Sequence, residues 1–345
     1  MIGIKSLAEH LNVSIGTVSR ALNGRPDVNE DTRKRVLEAA EALGYVPNQS
    51  GRSLRQGTTN AIGLMIESSP ETAANSDNFF LGVIDGLQGS LSRHGLDLVV
   101  LPCADEEPHA YLERIAARRL VDGMIISATQ RTDRRIDFLT KSNIPFIALG
   151  RSGSSDKHPW IDLDFEGVAM RAVDRLVANG HRRIAVGIPS NDANLGFVFY
   201  DGYKAALEKH GIELDQSLVI RTRSTEQGGY LVADEMLRMP DRPTAILLIY
   251  ELMAAGLYRR LRESNVLPGR DIAVIGFRES PLSRYLSPTL TSFRVSLRDL
   301  GISLAESLLA TMPAFAGAYP MGVTHKIWPM ELVEGESDAY RVTKR

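Results

Sequence analysis

The chain has 345 residues, a formal charge of −2, 43% hydrophobic and 24% charged side chains, the balance of an ordinary globular protein of two or three packed units. Its single cysteine, Cys103, excludes an internal disulfide and fits a reducing compartment. No apolar run approaches the roughly 18 residues that span a bilayer, and MIGIKSLAEH lacks a signal-peptide core, so a cytoplasmic protein with no membrane partner is expected.

Residues 4–45 predict three short helices. In IKSLAEHLN, Ile4, Leu7, Ala8 and Leu11 share one face. Ser14 is a good N-cap for a second helix with Val18, Ala21 and Leu22 inside, and Asn29 for a third carrying Val36, Leu37, Ala40 and Leu43 before Gly44. The second helix presents Thr17, Ser19, Arg20 and Asn23 on its polar face. Such a face is usually only solvated, but charge is concentrated around it. Residues 1–60 hold eight basic against six acidic side chains, and Arg20, Arg25 and Arg33 to Arg35 bracket the turn. Pro47, Gly57 and neighbouring polar residues then read as a linker, with Asn48 able to cap one helical turn.

From Ala61 onward, short apolar strands alternate with amphipathic helices. One series is expected at 62–66, 97–101, 123–127 and 145–149, and a second at 183–188, 217–221, 244–249 and 272–277. Nearly continuous hydrophobic strands between helices imply parallel sheets covered on both faces. Two similar α/β lobes follow, with a ligand cleft beyond the carboxyl ends of the strands. Catalytic patterns are missing: the seven histidines have no HExxH spacing, and there is no GxSxG, GxxxxGK[ST] or strand-linked GxGxxG. Cys103 stands near Asp105 and Glu106, which disfavour a thiolate. No enzyme activity, metal or cofactor is expected.

LAEHLNVSIGTVSRALNG (7–24), TRKRVLEAAEALGYVPN (32–48) and RSL (52–54) carry a resemblance that continues through NFFLGVIDGL, LVDGMIIS, NGHRRIAVGI, PTAILLIYELMAAGL and DIAVIGF. Over essentially its whole length the chain resembles the lac-repressor-like (LacI/GalR) bacterial transcription regulators. IGFRESPLSRYLSPTLTSF and LRDLGISLAESLLATMP are similar to the repressors of α-glucoside utilisation within that family.

The resemblance implies an all-α helix-turn-helix DNA-binding head over 1–46, a hinge helix and linker over 47–60, and a two-lobed, periplasmic-binding-protein-like parallel α/β core over 61–345 for effector binding and dimerisation. It also implies that Ile15, Gly16 and Arg20 face base edges, Arg20 on guanine and Ile15 on a thymine methyl. Ser14, Thr17, Ser19 and Asn23, with Lys5, Thr32 and Asn48, look like backbone contacts, and Leu54 like a minor-groove wedge. The partners implied are double-stranded operator DNA, a sugar and a second copy of the chain, the response being either release from DNA or tighter binding.

The effector residues expected from this pattern are Asn78, Phe79, Ser127, Arg151, Phe199, Ser224, Tyr250, Glu251 and Arg278. Phe199 stands where an arginine is common, Tyr250–Glu251 where Asn–Asp is common, and Arg278 where an aspartate is common. Three readings of Arg278 stay open. It donates to a neutral sugar held on aromatic platforms, it clamps an anionic sugar or acid, or it pairs with Glu251 or Glu279 and touches no ligand. A non-regulatory sugar-binding protein remains the alternative of another class.

Overall fold

The computed structural model describes residues 3–22, 24–45, 58–67, 70–104 and 107–339, the side chains of 70–78 apart. The chain divides into two compact units, Met1–Thr59 and Asn60–Arg345.

In the first unit, α1 (Ile4–Leu11), α2 (Ile15–Leu22) and α3 (Glu30–Ala42) enclose Leu7, Ala8, Val18, Ala21, Val28, Val36 and Ala40. Local chemistry sets the helix ends. Ser14 Oγ accepts from the amide of Thr17 at 3.0 Å and Asn29 Oδ1 from that of Asp31 at 2.8 Å, satisfying first-turn donors. Asn12 and Gly44, with φ of 53° and 61°, close α1 and α3 in the left-handed region where asparagine and glycine are tolerated.

The second unit holds two six-stranded sheets. Lobe 1 contains β1 (Ala61–Glu67), β2 (Asp97–Cys103), β3 (Gly123–Ile126), β4 (Phe146–Leu149), β5 (Trp160–Leu163) and β11 (His325–Trp328), ordered β11-β5-β4-β3-β1-β2. Lobe 2 contains β6 (Ile184–Pro189), β7 (Val219–Thr222), β8 (Ala245–Leu248), β9 (Ala273–Arg278), β10 (Thr291–Arg294) and β12 (Glu331–Val333), ordered β12-β10-β9-β8-β6-β7. The central strands are buried on both faces, as their apolar runs require. Two differences from the sequence expectation stand out. Each sheet has six strands rather than four, and β12 runs antiparallel to β10, so lobe 2 is not wholly parallel.

The chain crosses between lobes three times: from β5 into the helix Phe165–Ala178, from β10 into the helix Leu297–Leu309, and between β11 and β12. Both lobes consequently contribute to one hydrophobic core. No helix among the described residues is long and apolar enough to cross a membrane.

One helix pair in lobe 2 depends on glycine for its close approach. A Cβ on Gly256, in Glu251–Glu263, falls 1.7 Å from the Glu226 carbonyl oxygen, and one on Gly229, in Glu226–Arg238, 1.8 Å from that of Met253. Gly256→Val must therefore separate backbones, not merely side chains. Overpacking costs typically 1–3 kcal/mol and sometimes more, so thermal melting should fall by about 5 °C or more. An unchanged melting temperature would show that the crossing relaxes freely.

Candidate functional site

Two surfaces gather the residues singled out by sequence. On the first unit, Lys5, Ser14, Ile15, Gly16 and Arg20 are exposed, while Thr17, Ser19 and Thr32 are half-buried. Ser14 spends its hydroxyl on capping α2 and meets the Thr17 hydroxyl at 2.9 Å. Lys5 lies 4.0 Å from Glu9, and Arg20 Nη1 3.6 Å from Asp27 Oδ2. Ile15 is 39% exposed at the start of α2, a position for an apolar side chain with no partner in this unit's core. Asn23, Asn48 and Leu54 lie outside the described residues.

The second surface is a cleft of about 160 Å³. Its lobe 1 wall comes from the carboxyl ends of β1, β3, β4 and β5, including Glu67, Ser127, Arg151 and Asp162, with Phe79 and Phe80 from the helix Pro70–Ser92. Phe165, Leu195, Tyr250, Glu251, Phe277 and Arg278 form the lobe 2 wall. The aromatic rings are locked against one another: Phe165 stacks on Phe277 at 4.4 Å, and Phe79 meets Phe80 edge-on at 5.3 Å.

The cations of this cleft are already committed. Arg278, 8% exposed, donates to Glu251 and lies over the Phe79 ring at 5.5 Å. Burial pushes the Glu251 carboxyl above its usual range, against the pull of Arg278. Arg151 bridges the lobes, with Nε 3.4 Å from Asp162 Oδ2 and Nη2 3.4 Å from Glu166 Oε2. Its carbonyl accepts from Asn194 Nδ2 at 2.7 Å, tying lobe 2 to lobe 1 a second time. Behind the wall, Arg135 is held by Asp133 and faces Glu67 at 3.6 Å. Glu67 Oε1 has no hydrogen-bond partner among the described residues, and burial raises its pKa despite Arg135. Among lining residues, two guanidiniums face three carboxylates.

Asp162 gives this site a pH dependence. Burial raises its pKa to about 7, opposed by Arg151 and by backbone hydrogen bonds. The unfolded chain releases this proton near pH 3.9 and the folded protein near 7, so stability is full below that window and is lost as pH rises through it. Asp162→Asn should flatten that loss. The drop in melting temperature between pH 5 and pH 8 should be smaller than in the parent protein, and an equal drop would remove the assignment.

Phe79, Ser127, Arg151, Tyr250, Glu251 and Arg278 are brought together as expected lining residues, although the Ser127 hydroxyl donates to the Met65 carbonyl at 2.9 Å. Two expectations are corrected. Phe199 is 0% exposed and packs edge-on against Phe277 at 5.9 Å, so it supports the wall from behind and presents no face to the cleft. Ser224 does not line the cleft either. The Asn78 side chain lies outside what is described. Sequence reasoning missed Glu67, Asp162, Phe165 and Phe277, which sit in apolar surroundings that read as core. The signal was their position at or just past strand carboxyl ends.

Residues 3–48 match the bacterial regulatory proteins of the lacI family, and residues 59–319 the periplasmic binding proteins and sugar binding domain of LacI family. The HTH-type transcriptional regulator AglR of Rhizobium meliloti (strain 1021) is 34% identical over 336 residues, 96% of this chain and 93% of that protein. The regulator CelR of Thermobifida fusca is 29% identical over 89% of this chain and 90% of its own. A solved complex of the transcriptional regulator CelR with cellobiose has a TM-score of 0.72 at 28% identity, covering 98% of this chain and 100% of that one. A lac repressor dimer bound to operator and the anti-inducer ONPF shares the fold, with a TM-score of 0.83 at 24% identity over 97% and 98% of the two chains.

Proposed function

The chain belongs to the LacI family of bacterial regulatory proteins, whose members regulate transcription and are not enzymes, and from that premise we propose that it is a cytoplasmic, homodimeric repressor released from its operator by a neutral sugar. Two heads related by a two-fold axis read a palindromic operator, with Arg20 and Ile15 on base edges and Lys5, Ser14, Thr17, Ser19 and Thr32 on the backbone. Sugar in the cleft changes the angle between the lobes and thereby the operator affinity.

One observation carries the ligand class: the cleft combines aromatic walls with guanidiniums that already stand against carboxyl partners. A sugar offers apolar ring faces to Phe79, Tyr250 and Phe277 and hydroxyls to the paired polar groups. An anionic effector instead has to compete with carboxylates for guanidiniums that are already paired, Arg278 with Glu251 and Arg151 with Asp162 and Glu166. The resemblance of 275–293 and 297–313 to repressors of α-glucoside utilisation points the same way. So does the cellobiose held by a relative of the same fold.

A thermal-shift series with neutral disaccharides and with sugar phosphates tests this. A ligand present at about 100 times its Kd stabilises the folded state by roughly 2.7 kcal/mol and must raise the melting temperature. A neutral glucoside that shifts melting and weakens operator binding is the expected result. Shifts confined to phosphates or acids would overturn the ligand class.

A further inference from the structure

Arg20 stands beside a carboxylate that no simple phosphate contact requires. Its Nη1 lies 3.6 Å from Asp27 Oδ2, with both side chains about half exposed. Its Nη2 lies 3.7 Å from where a Cβ on Gly16 would stand, an ordinary van der Waals distance, so the guanidinium lies back along α2. Asp27 itself is held by a clamped turn. The Arg25 amide donates to the Arg20 carbonyl at 3.0 Å, Arg33 Nη2 donates to the Arg25 carbonyl at 2.7 Å, and the neighbouring Val28 is buried in the head core.

We propose that Asp27 is a specificity-determining residue that positions Arg20, one corner of the guanidinium resting on the carboxylate while the remaining N–H groups face outward. The proposal rests on reading the head as a DNA-binding unit. An exposed ion pair adds only about 0–1 kcal/mol to folding, so the pair is not explained by stability. An arginine meant for phosphate gains nothing from a neighbouring carboxylate, which competes for its charge and repels the DNA backbone. An arginine meant for guanine does gain. Base reading needs two N–H groups held in one plane toward O6 and N7, and a side chain already restrained loses less freedom on binding. The same carboxylate weakens sequence-independent binding. That repulsion acts on every duplex alike, whereas the positioning of Arg20 acts only on the specific one and so widens the ratio of specific to non-specific affinity.

The test uses the full chain. A duplex enriched from a pool of randomised DNA serves as the specific probe, and a scrambled duplex of equal length and composition as the non-specific one, at one fixed salt concentration. Asp27→Asn should weaken binding to the enriched duplex and strengthen binding to the scrambled one, narrowing the ratio by about five- to tenfold, less than the 10- to 100-fold of a lost bidentate base contact. In an Arg20→Ala background, Asp27→Asn should leave the ratio where Arg20→Ala alone put it. Asp27→Glu should restore part of the parent ratio, which separates positioning from a folding defect. Affinity rising equally for both duplexes would reduce Asp27 to a repelling charge and overturn the proposal. An Arg20→Ala protein that keeps the parent ratio would instead sink the base-reading role of Arg20 itself, and the positioning role with it.

Discussion

Glu251→Met should destabilise the second unit by about 3–5 kcal/mol, lowering its melting temperature by on the order of 10 °C. Glu251 and Arg278 are both buried, and the guanidinium donates directly to the carboxylate. Removing the acid leaves a largely buried cation beside the Phe79 ring without its carboxylate partner. Glu251 is also the first residue of its helix, where a negative charge is favoured by the unpaired amides, so its loss is felt twice. The double variant Glu251→Met/Arg278→Met removes both charges and should recover most of the lost stability, because apolar residues of similar volume replace buried pairs at little net cost. If the double variant is as unstable as the single one, the two groups are not energetically coupled. The milder Glu251→Gln frees Arg278 while keeping a polar neighbour, and on the proposed ligand class it should bind sugar phosphates more tightly than the parent protein does.

That coupling was invisible in the sequence except as one of three readings of Arg278, because the partner sits 27 positions away on a different element. What was legible was what local chemistry decides. Ser14 and Asn29 cap their helices through their own side chains, and Gly44 ends α3 because its φ of 61° suits a residue without a Cβ. Strands such as Ala245–Leu248 and Ile184–Pro189 announce themselves as unbroken apolar runs, since both faces are buried. β11 and β12 give no such signal. They are four and three residues long and nearly all exposed, and they exist only because β5 and β10 supply edges to pair with. Phe199 was misplaced for a related reason. Its aromatic character fits a sugar platform and a core wedge equally well, and only the position of Phe277 decides between them. Glu67 was the most findable of the missed residues, closing β1 at its carboxyl end as the expected Arg278 closes β9, where α/β lobes hold their ligands.

The head is the part of the molecule with least stability in reserve, and Leu7→Ala should expose that. Among the described residues its core has seven that are buried, of which Ala8, Ala21 and Ala40 contribute little area, leaving Leu7, Val18, Val28 and Val36 to supply most of the apolar contact. Leu7 is 0% exposed, and truncating such a leucine typically costs 2–5 kcal/mol. At roughly 0.05–0.15 kcal/mol per residue, a unit this small holds only a few kcal/mol against unfolding. Most of that reserve should vanish. The Leu7→Ala protein should therefore lose operator binding at 37 °C, while a sugar that stabilises the second unit still raises its melting temperature by the parent amount. Calorimetry should show the low-temperature transition broadened or absent and the high-temperature one in place. The division at Thr59 and Asn60 is what makes the two losses separable. If Leu7→Ala lowers both transitions together, the head and the sugar-binding unit share one cooperative fold, and the effector reaches the DNA-reading helix through that shared stability instead of through lobe geometry.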